Sequence, residues 1–217
     1  DLENIRISGK ILSLVLSELR AMANTGVTLR ALDTRARSLI SDNSGKPAFL
    51  GYRNKKDAPP YPAAICASVN ERIVHCIPDE YELKEGDVLK IDAGVNYKGY
   101  ITDAAITVGI GSISAKSEKL IKATSSALEE AIKICKSGKT TGDIGWVIEK
   151  TVKNYGFSIV EKLTGHGVGR SIHEPPNIFN YGQRGEGVPL EKGMVIAIEP
   201  MVSAGGGEIE EGKDGGI

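Results

Sequence analysis

The sequence predicts an α+β protein made of two similar halves, because a pair of amphipathic helices followed by strands occurs twice, over 1–110 and again over 111–217. The halves share no obvious sequence identity. An antiparallel sheet covered by helices would bury the apolar face of every helix, and the composition, 41% hydrophobic residues, is sufficient for such a core. We therefore expect one domain over 1–217, with ligands bound where its halves meet.

The first half begins with two helices. Apolar residues recur at helical spacing between Asn4 and Asn24, and Thr28 is a suitable N-cap for a second helix that ends in the turn-forming residues 42–45. Four strands are then predicted, the last two joined as a hairpin through a loop at 96–99: 63–69, 73–76, 88–95 and 100–108.

The second half repeats this order. One apolar face runs over 114–136 and predicts a third helix. Thr140 and Asp143 form a near capping box for a fourth helix that ends at Gly156. Strands are predicted at 157–161 and 194–202, on either side of a stretch rich in glycine and proline.

Charge and cysteine content limit the possible environments and partners. The net charge of −1 supplies no cationic field for nucleic acid, no apolar run approaches the length of a membrane span, and the amino end has no signal-peptide pattern. Three cysteines without a C-x-x-C motif argue against a disulfide framework. We expect a cytoplasmic protein that binds neither nucleic acid nor membrane.

The hairpin brings two carboxylates together. With a four-residue loop, Asp92 lies directly opposite Asp103. Opposed side chains have Cβ atoms about 5 Å apart, and two like charges there are destabilising unless a cation lies between them. A metal ion would explain the pair, and a capped turn or a protonated pair of acids would explain it equally well.

A second set of possible ligands lies in the second half. Glycines on both sides of His166 allow a close backbone approach, and His173 follows seven residues later. Glu199 ends the apolar run 194–198, where an isolated buried carboxylate is costly, and an ion pair with Arg170 is the structural alternative. Two aspartates, a histidine and a glutamate together suit Mn, Fe, Co or Zn, and bridging carboxylates allow two ions.

Several motifs in this order resemble the type I methionine aminopeptidases, members of the pita-bread metallopeptidase family. The matching residues are Glu3–Lys10, the segment Tyr61–Glu71 that leads to His75, Asp92 and Asp103, the run Gly165–Arg170 followed by His173-Glu174-Pro175, and Ile198–Met201. The resemblance implies a pita-bread fold, with two pseudosymmetric halves and a curved antiparallel sheet covered by helices around two divalent metal ions.

The resemblance also implies roles for single residues. It places Asp92, Asp103, His166 and Glu199 at metal-ligand positions, with Co, Mn, Fe or Zn as the ions. Glu199 would also transfer a proton, His173 would hydrogen-bond the carbonyl oxygen, and His75 would contact the scissile amide. The pocket for the substrate methionine would be lined by Tyr61, Cys66 and Ile172.

The implied activity is removal of the initiator methionine from nascent proteins. The protein would be a monomer that acts on peptide or nascent-protein N-termini near the ribosome. Alternatives are an X-Pro aminopeptidase or prolidase, a non-catalytic pita-bread binding protein, and a thiol peptidase using Cys66 or Cys76.

Three positions depart from the family pattern. The family has a fifth metal ligand, a glutamate on a strand well beyond Glu199, and no residue of this sequence corresponds to it. We therefore expect that the C-terminal strands of the family are missing here, and that this fragment can be inactive although the protein it comes from is active. Cys76 stands where the family usually has glycine, directly after His75. Gly216 stands where a family tryptophan helps to close the pocket.

Overall fold

The computed structural model describes residues 1–53, 57–212 and 215–217. The chain divides into two units. Unit 1 comprises Asp1–Ile113, Gly169–Ile172 and Glu211–Ile217, and unit 2 comprises Ser114–Val168 and His173–Glu210.

Unit 1 combines two helices with a four-stranded antiparallel sheet. The elements are α1 (Leu2–Met22), α2 (Leu29–Asp42), β1 (Lys46–Pro47), β2 (Ile65–Val69), β3 (Val88–Tyr97) and β4 (Tyr100–Gly109). The other three strands all pair with β3: β4 along its whole length, and β2 and β1 over successive parts of it.

The core of unit 1 lies between the helices and the sheet. Val15 and Leu19 of α1 are fully buried in one apolar cluster with Leu32 of α2 and with Leu89 and Ile91 of β3. Burying one such side chain contributes about 1.5–3 kcal/mol. The helical spacing of apolar residues in the sequence therefore correctly predicted which faces of α1 and α2 are buried.

The predicted register of the hairpin is wrong by two residues. Lys98 and Gly99 have φ angles of 52° and 83°, and Tyr97 pairs directly with Tyr100. A two-residue turn with both central φ angles positive is a common way to join twisted strands. Asp92 is consequently opposite Ala105, and Asp103 is opposite Gly94.

The strand predicted at 73–76 is also wrong, because this segment is a loop. Its hydrogen bonds run to the C-terminal residue: the Val74 N–H donates to the Ile217 carbonyl at 3.2 Å, and the Ile217 N–H donates back to Val74 at 3.0 Å. The Ala67 N–H of β2 reaches the Cys76 carbonyl at 3.0 Å. His75 lies within this loop with a φ of 62°.

Unit 2 also has two helices, followed by short strands. Its elements are α3 (Ala115–Ile134), α4 (Thr141–Asn154), β5 (Ser158–Ile159), β6 (Thr164–Gly167), β7 (Glu174–Phe179), β8 (Ile196–Ala197) and β9 (Val202–Ser203). Thr140 and Asp143 form the predicted capping box at α4. β6 is the central strand of a β7-β6-β8 sheet, and β5 pairs with β9.

Two features of unit 2 differ from the sequence prediction. The single strand expected at 194–202 is two separate strands of two residues, β8 and β9. The stretch rich in glycine and proline, for which no strand was predicted, contains β7. Throughout the described parts of the chain, no helix has the length and apolar character that crossing a membrane requires.

Candidate metal centre and peptide site

In unit 1, Asp92 and Asp103 belong to the same face of the β3–β4 hairpin. Gly94 is opposite Asp103, and Asp92 is two residues before Gly94, so alternation along the strand places both carboxylates on one side. They are diagonal neighbours rather than the directly opposed pair that the sequence predicted. Diagonal Cα atoms are typically about 7–8 Å apart, which still leaves two half-buried like charges near each other.

The position that a side chain of Gly94 would take, opposite Asp103, is already filled by the two residues that follow β1. A Cβ at this position would lie 2.9 Å from both the Ala48 Cβ and the Phe49 Cε1 atoms. Any other residue would therefore push Phe49 away from the strand, and the absence of a side chain here is a requirement of packing.

In unit 2, the backbone brings His166 of β6 close to Glu199, two residues after β8. His166 pairs with Ala197 in register, and its Nε2 lies 3.0 Å from Glu199 Oε1. Glycines at 165 and 167 are needed because a Cβ at either position would collide with a backbone carbonyl, that of Ala197 or of Pro175. The close approach expected from the glycines around His166 is confirmed.

The His166–Glu199 contact fits a metal ion. His166 Nδ1 lies 2.8 Å from the Gly167 carbonyl, which can only accept, so Nδ1 carries the proton of the neutral ring. Nε2 then presents a lone pair toward Glu199 Oε1, a buried oxygen that receives no hydrogen bond from the described residues. Two lone pairs at this distance need a proton or a cation between them, and an imidazole nitrogen with a carboxylate oxygen is a common donor set for divalent metals.

His173 lies beside His166. The two rings are 4.4 Å apart between centroids and meet at 76°, an edge-to-face contact. His166 is buried and His173 is exposed. The pair therefore combines an inner imidazole suited to metal binding with an outer one that a substrate can reach.

Tyr61 and Cys66, the residues expected to line a side-chain pocket, are in contact within unit 1. The Tyr61 hydroxyl donates to the carbonyls of Ile65 and Cys76, at 3.1 and 3.0 Å. Burial raises the pKa of the Cys66 thiol well above its ordinary value, and the charge of Asp92, its cross-strand partner, raises it further. A catalytic cysteine requires a lowered pKa, so this environment argues against a Cys66 thiol peptidase.

The two departures at Cys76 and Gly216 are in direct contact. A Cβ on Gly216 would lie 2.8 Å from Cys76 Sγ and would also collide with the Arg72 guanidinium. Arg72 Nε itself donates to Cys76 Sγ at 3.0 Å. Cys76 and Arg72 thus occupy the volume that any side chain at position 216 would need. With a cysteine rather than a glycine at position 76, only glycine fits at position 216.

Comparison with known proteins identifies the family. The model of metallopeptidase family M24 matches residues 3–217. The chain belongs to family M24. As an M24 metallopeptidase, it is a hydrolase that uses divalent metal ions, in agreement with the donor atoms of His166 and Glu199.

Individual M24 relatives match almost the whole chain. The methionine aminopeptidase of Aquifex aeolicus is 41% identical over 220 residues, which cover 99% of this chain and 84% of that protein. The methionine aminopeptidase of Clostridium perfringens is 38% identical over 215 residues, with the same coverage.

Solved structures of M24 members show the same fold. The crystal structure of methionine aminopeptidase from Thermotoga maritima matches with a TM-score of 0.94 and 39% identity, covering 98% of this chain and 84% of that one. Prolidase from Pyrococcus furiosus matches with a TM-score of 0.78 and 26% identity, covering 92% of this chain but 55% of that one. The predicted α+β pita-bread fold is therefore confirmed.

Proposed function

We propose that this M24 metallopeptidase is a methionine aminopeptidase that removes the initiator methionine from peptides and nascent proteins. The observation that carries this proposal is the match to methionine aminopeptidases at 38–41% identity over 99% of the chain. Prolidase is the weaker alternative because its likeness is lower and this chain spans only 55% of it.

The proposed metal ligands are Asp92 and Asp103 from the β3–β4 hairpin together with His166 and Glu199 from unit 2. Carboxylate oxygens with one imidazole suit two ions of Co, Mn, Fe or Zn. Such ions polarise a carbonyl and lower the pKa of water, which makes hydroxide available near neutral pH. The half-buried acid pair and the facing lone pairs of His166 and Glu199 both support this assignment.

Three side chains perform the remaining chemistry. Glu199 accepts the proton of the attacking water and returns it to the leaving amine. His173, exposed beside His166, donates a hydrogen bond to the carbonyl oxygen as negative charge develops on it. His75 contacts the scissile amide, and its exposed position in the 73–76 loop leaves it accessible to a peptide.

The pocket for the methionine side chain is formed by Tyr61, Cys66 and Ile172. All three belong to unit 1, and Cys66 and Ile172 are each only 5% exposed. Because burial also raises the Tyr61 pKa above its ordinary value, both the thiol and the phenol stay neutral, which suits an uncharged thioether.

We also propose a cellular setting for this activity. The residues 1–217 belong to a single catalytic domain that acts as a monomer in the cytoplasm, close to the ribosome from which its substrates emerge. Neither nucleic acid nor membrane is required as a partner.

The decisive experiment measures methionine release by the full-length protein supplied with Mn²⁺ or Co²⁺. We expect release from Met-Gly and Met-Ala peptides, no release of leucine from the matched Leu-Gly peptides, and no cleavage of Ala-Pro peptides. His173→Ala should reduce the rate by about 10²–10³-fold. Equal cleavage of Ala-Pro peptides would favour the prolidase alternative, and no cleavage of any peptide would contradict the proposal.

A further inference from the structure

The buried face of α2 carries one carboxylate, Asp33, which is only 7% exposed. Its neighbours on this face are the apolar residues Leu29, Leu32 and Ala36. A buried charge is costly unless it is paired and hydrogen-bonded. Asp33 must therefore be compensated by specific contacts.

Those contacts lead, directly or through Arg37, to residues 62–65 at the start of β2. Asp33 Oδ1 accepts hydrogen bonds from the Ala64 and Ile65 N–H groups, at 2.6 and 3.2 Å. Asp33 Oδ2 lies 2.7 Å from Arg37 Nε, one helical turn further along α2. Arg37 Nη2 in turn donates to the Pro62 carbonyl at 2.7 Å. The two side chains together hold three backbone groups within residues 62–65, those of Pro62, Ala64 and Ile65.

The segment held in this way lies between Tyr61 and Cys66. The Tyr61 hydroxyl donates back to the Ile65 carbonyl, and also to that of Cys76, the residue after His75. A displacement at residues 62–65 would therefore move the Tyr61 ring and the Cys66 thiol, and would weaken the contact that ties the His75 loop to Tyr61.

We propose that Asp33 and Arg37 are positioning residues that set the shape of the methionine side-chain pocket by fixing the segment from Tyr61 to Cys66. This inference rests on the proposed function, and it adds two residues of α2 that do not touch the substrate. Charge-assisted hydrogen bonds are short and directional, so they specify the position of a backbone segment more closely than apolar packing would.

The test compares Asp33→Leu with Asp33→Asn in the metal-loaded full-length protein, using a Met-Ala-Ser peptide. Leucine has a similar size but no acceptor, whereas asparagine keeps an acceptor oxygen for the Ala64 and Ile65 N–H groups. A pocket that binds ground state and transition state alike affects KM rather than kcat. We expect Asp33→Leu to raise KM about tenfold with little change in kcat, and Asp33→Asn to stay within about threefold of the wild-type KM.

The controls separate positioning from general destabilisation. Arg35 is on the same helix as Asp33 and forms an exposed ion pair with Glu18 of α1. Arg35→Gln removes this pair and should change neither KM nor kcat. Arg37→Gln removes the contact to Pro62 at a half-exposed position, so it should fold and raise KM about threefold. The rise in melting temperature caused by Mn²⁺ should be the same in every variant, because no metal ligand is changed.

The outcomes distinguish this inference from the proposed function. A wild-type protein that releases no methionine overturns the proposed function. An active wild type, with an unchanged KM in both Asp33→Leu and Arg37→Gln, overturns the positioning role alone. If Asp33→Leu does not fold, an unchanged KM in Arg37→Gln is sufficient to overturn it.

Discussion

The buried side-chain amide of Asn180 is hydrogen-bonded to the backbone of Glu199, a proposed metal ligand. It follows β7 directly and is fully buried. Its Nδ2 donates to the Glu199 carbonyl at 2.8 Å, while its Oδ1 is buried without a hydrogen bond from the described residues. Leaving such an oxygen unsatisfied costs about 1–3 kcal/mol, so a water molecule is expected beside it. The amide therefore holds the backbone at Glu199, the residue proposed as a metal ligand.

Asn180→Ala should weaken metal binding without unfolding the protein. Mutating a residue that hydrogen-bonds to a metal ligand and orients it typically weakens metal affinity by about 10–100-fold, and we expect a loss in this range for Mn²⁺. Isothermal titration of the metal-free protein measures it directly. Asn24→Ala is the matched control, since Asn24 also donates its amide to a carbonyl, that of Ala21, but at an exposed position. Equal affinities for wild type and Asn180→Ala would refute the orienting role.

The residues around the site differ in how far the sequence could predict them. His166 and Glu199 could be proposed because their neighbours, two glycines and an apolar run, are adjacent in the chain. Asn180 and Asp33 could not, because their partners lie 19 and 31 residues away and neither residue belongs to a local pattern. Long-range hydrogen bonds of single polar residues leave no periodic trace in a sequence.

At the scale of single elements, Asp87 joins the start of β3 to two loops. The carboxylate is 6% exposed and accepts from Asn70 Nδ2 at 2.9 Å, from the Lys84 N–H at 2.9 Å and from the Tyr81 hydroxyl at 3.0 Å. Burial alone would raise its pKa, but these three hydrogen bonds outweigh burial and hold the pKa below its ordinary value of 3.8. The ionised form of Asp87 therefore stabilises the fold.

Asp87→Asn should lower the free energy of unfolding by about 2 kcal/mol at pH 7. Because the folded pKa is lowered, this contribution is fully present above the unfolded pKa and is lost as pH falls through the folded pKa. The difference between wild type and variant should thus be constant from about pH 7 to pH 5 and shrink below about pH 4. Urea unfolding across this range measures it.

Asp79→Asn provides the comparison, because Asp79 also accepts a backbone N–H, from Tyr81, but is exposed. It should change the stability by less than about 0.5 kcal/mol at every pH. If Asp87→Asn remained less stable than the wild type by the same free energy below about pH 4, the hydrogen-bond geometry of Asp87, rather than its charge, would stabilise this junction.

The elements also show where local sequence patterns fail. Helices were predicted within a few residues because apolar spacing and the caps at Thr28 and Thr140 act locally. The hairpin was predicted, but its turn was taken as four residues rather than two, because Lys98 adopts a positive φ that its residue type rarely favours. Short strands such as β8 are defined by partners distant in sequence, so no local periodicity predicts them.

At the scale of the whole molecule, the residues proposed as metal ligands are divided between the two units of the chain. Unit 1 carries two carboxylates on one sheet face, and unit 2 carries an imidazole and a carboxylate with facing lone pairs. The repeated order of helices and strands predicted the α+β fold, and the motifs together predicted the family. Neither could predict which atoms bind the same ion, because that depends on the packing of distant segments.

Metal binding should stabilise the protein as a whole. At a hundredfold excess over Kd, a ligand that binds only the folded state adds about 2.7 kcal/mol, which corresponds to a rise of roughly 5–10 °C in melting temperature. We expect such a rise when Mn²⁺ or Co²⁺ is added to chelator-treated protein. Asp103→Asn should lose most of it, whereas Asp42→Asn, at the exposed end of α2, should keep it.

A double variant tests whether the two sets of ligands share their ions. Suppose that Asp103 and Glu199 bind the same metal ions. Loss of one ligand then already releases the ion, so the double variant Asp103→Asn/Glu199→Gln should lose little more of the metal-induced rise in melting temperature than the more damaging single variant. Independent sites would give losses that add. Additive losses, or a full rise in Asp103→Asn, would contradict a shared metal centre and with it the hydrolytic mechanism proposed for this chain.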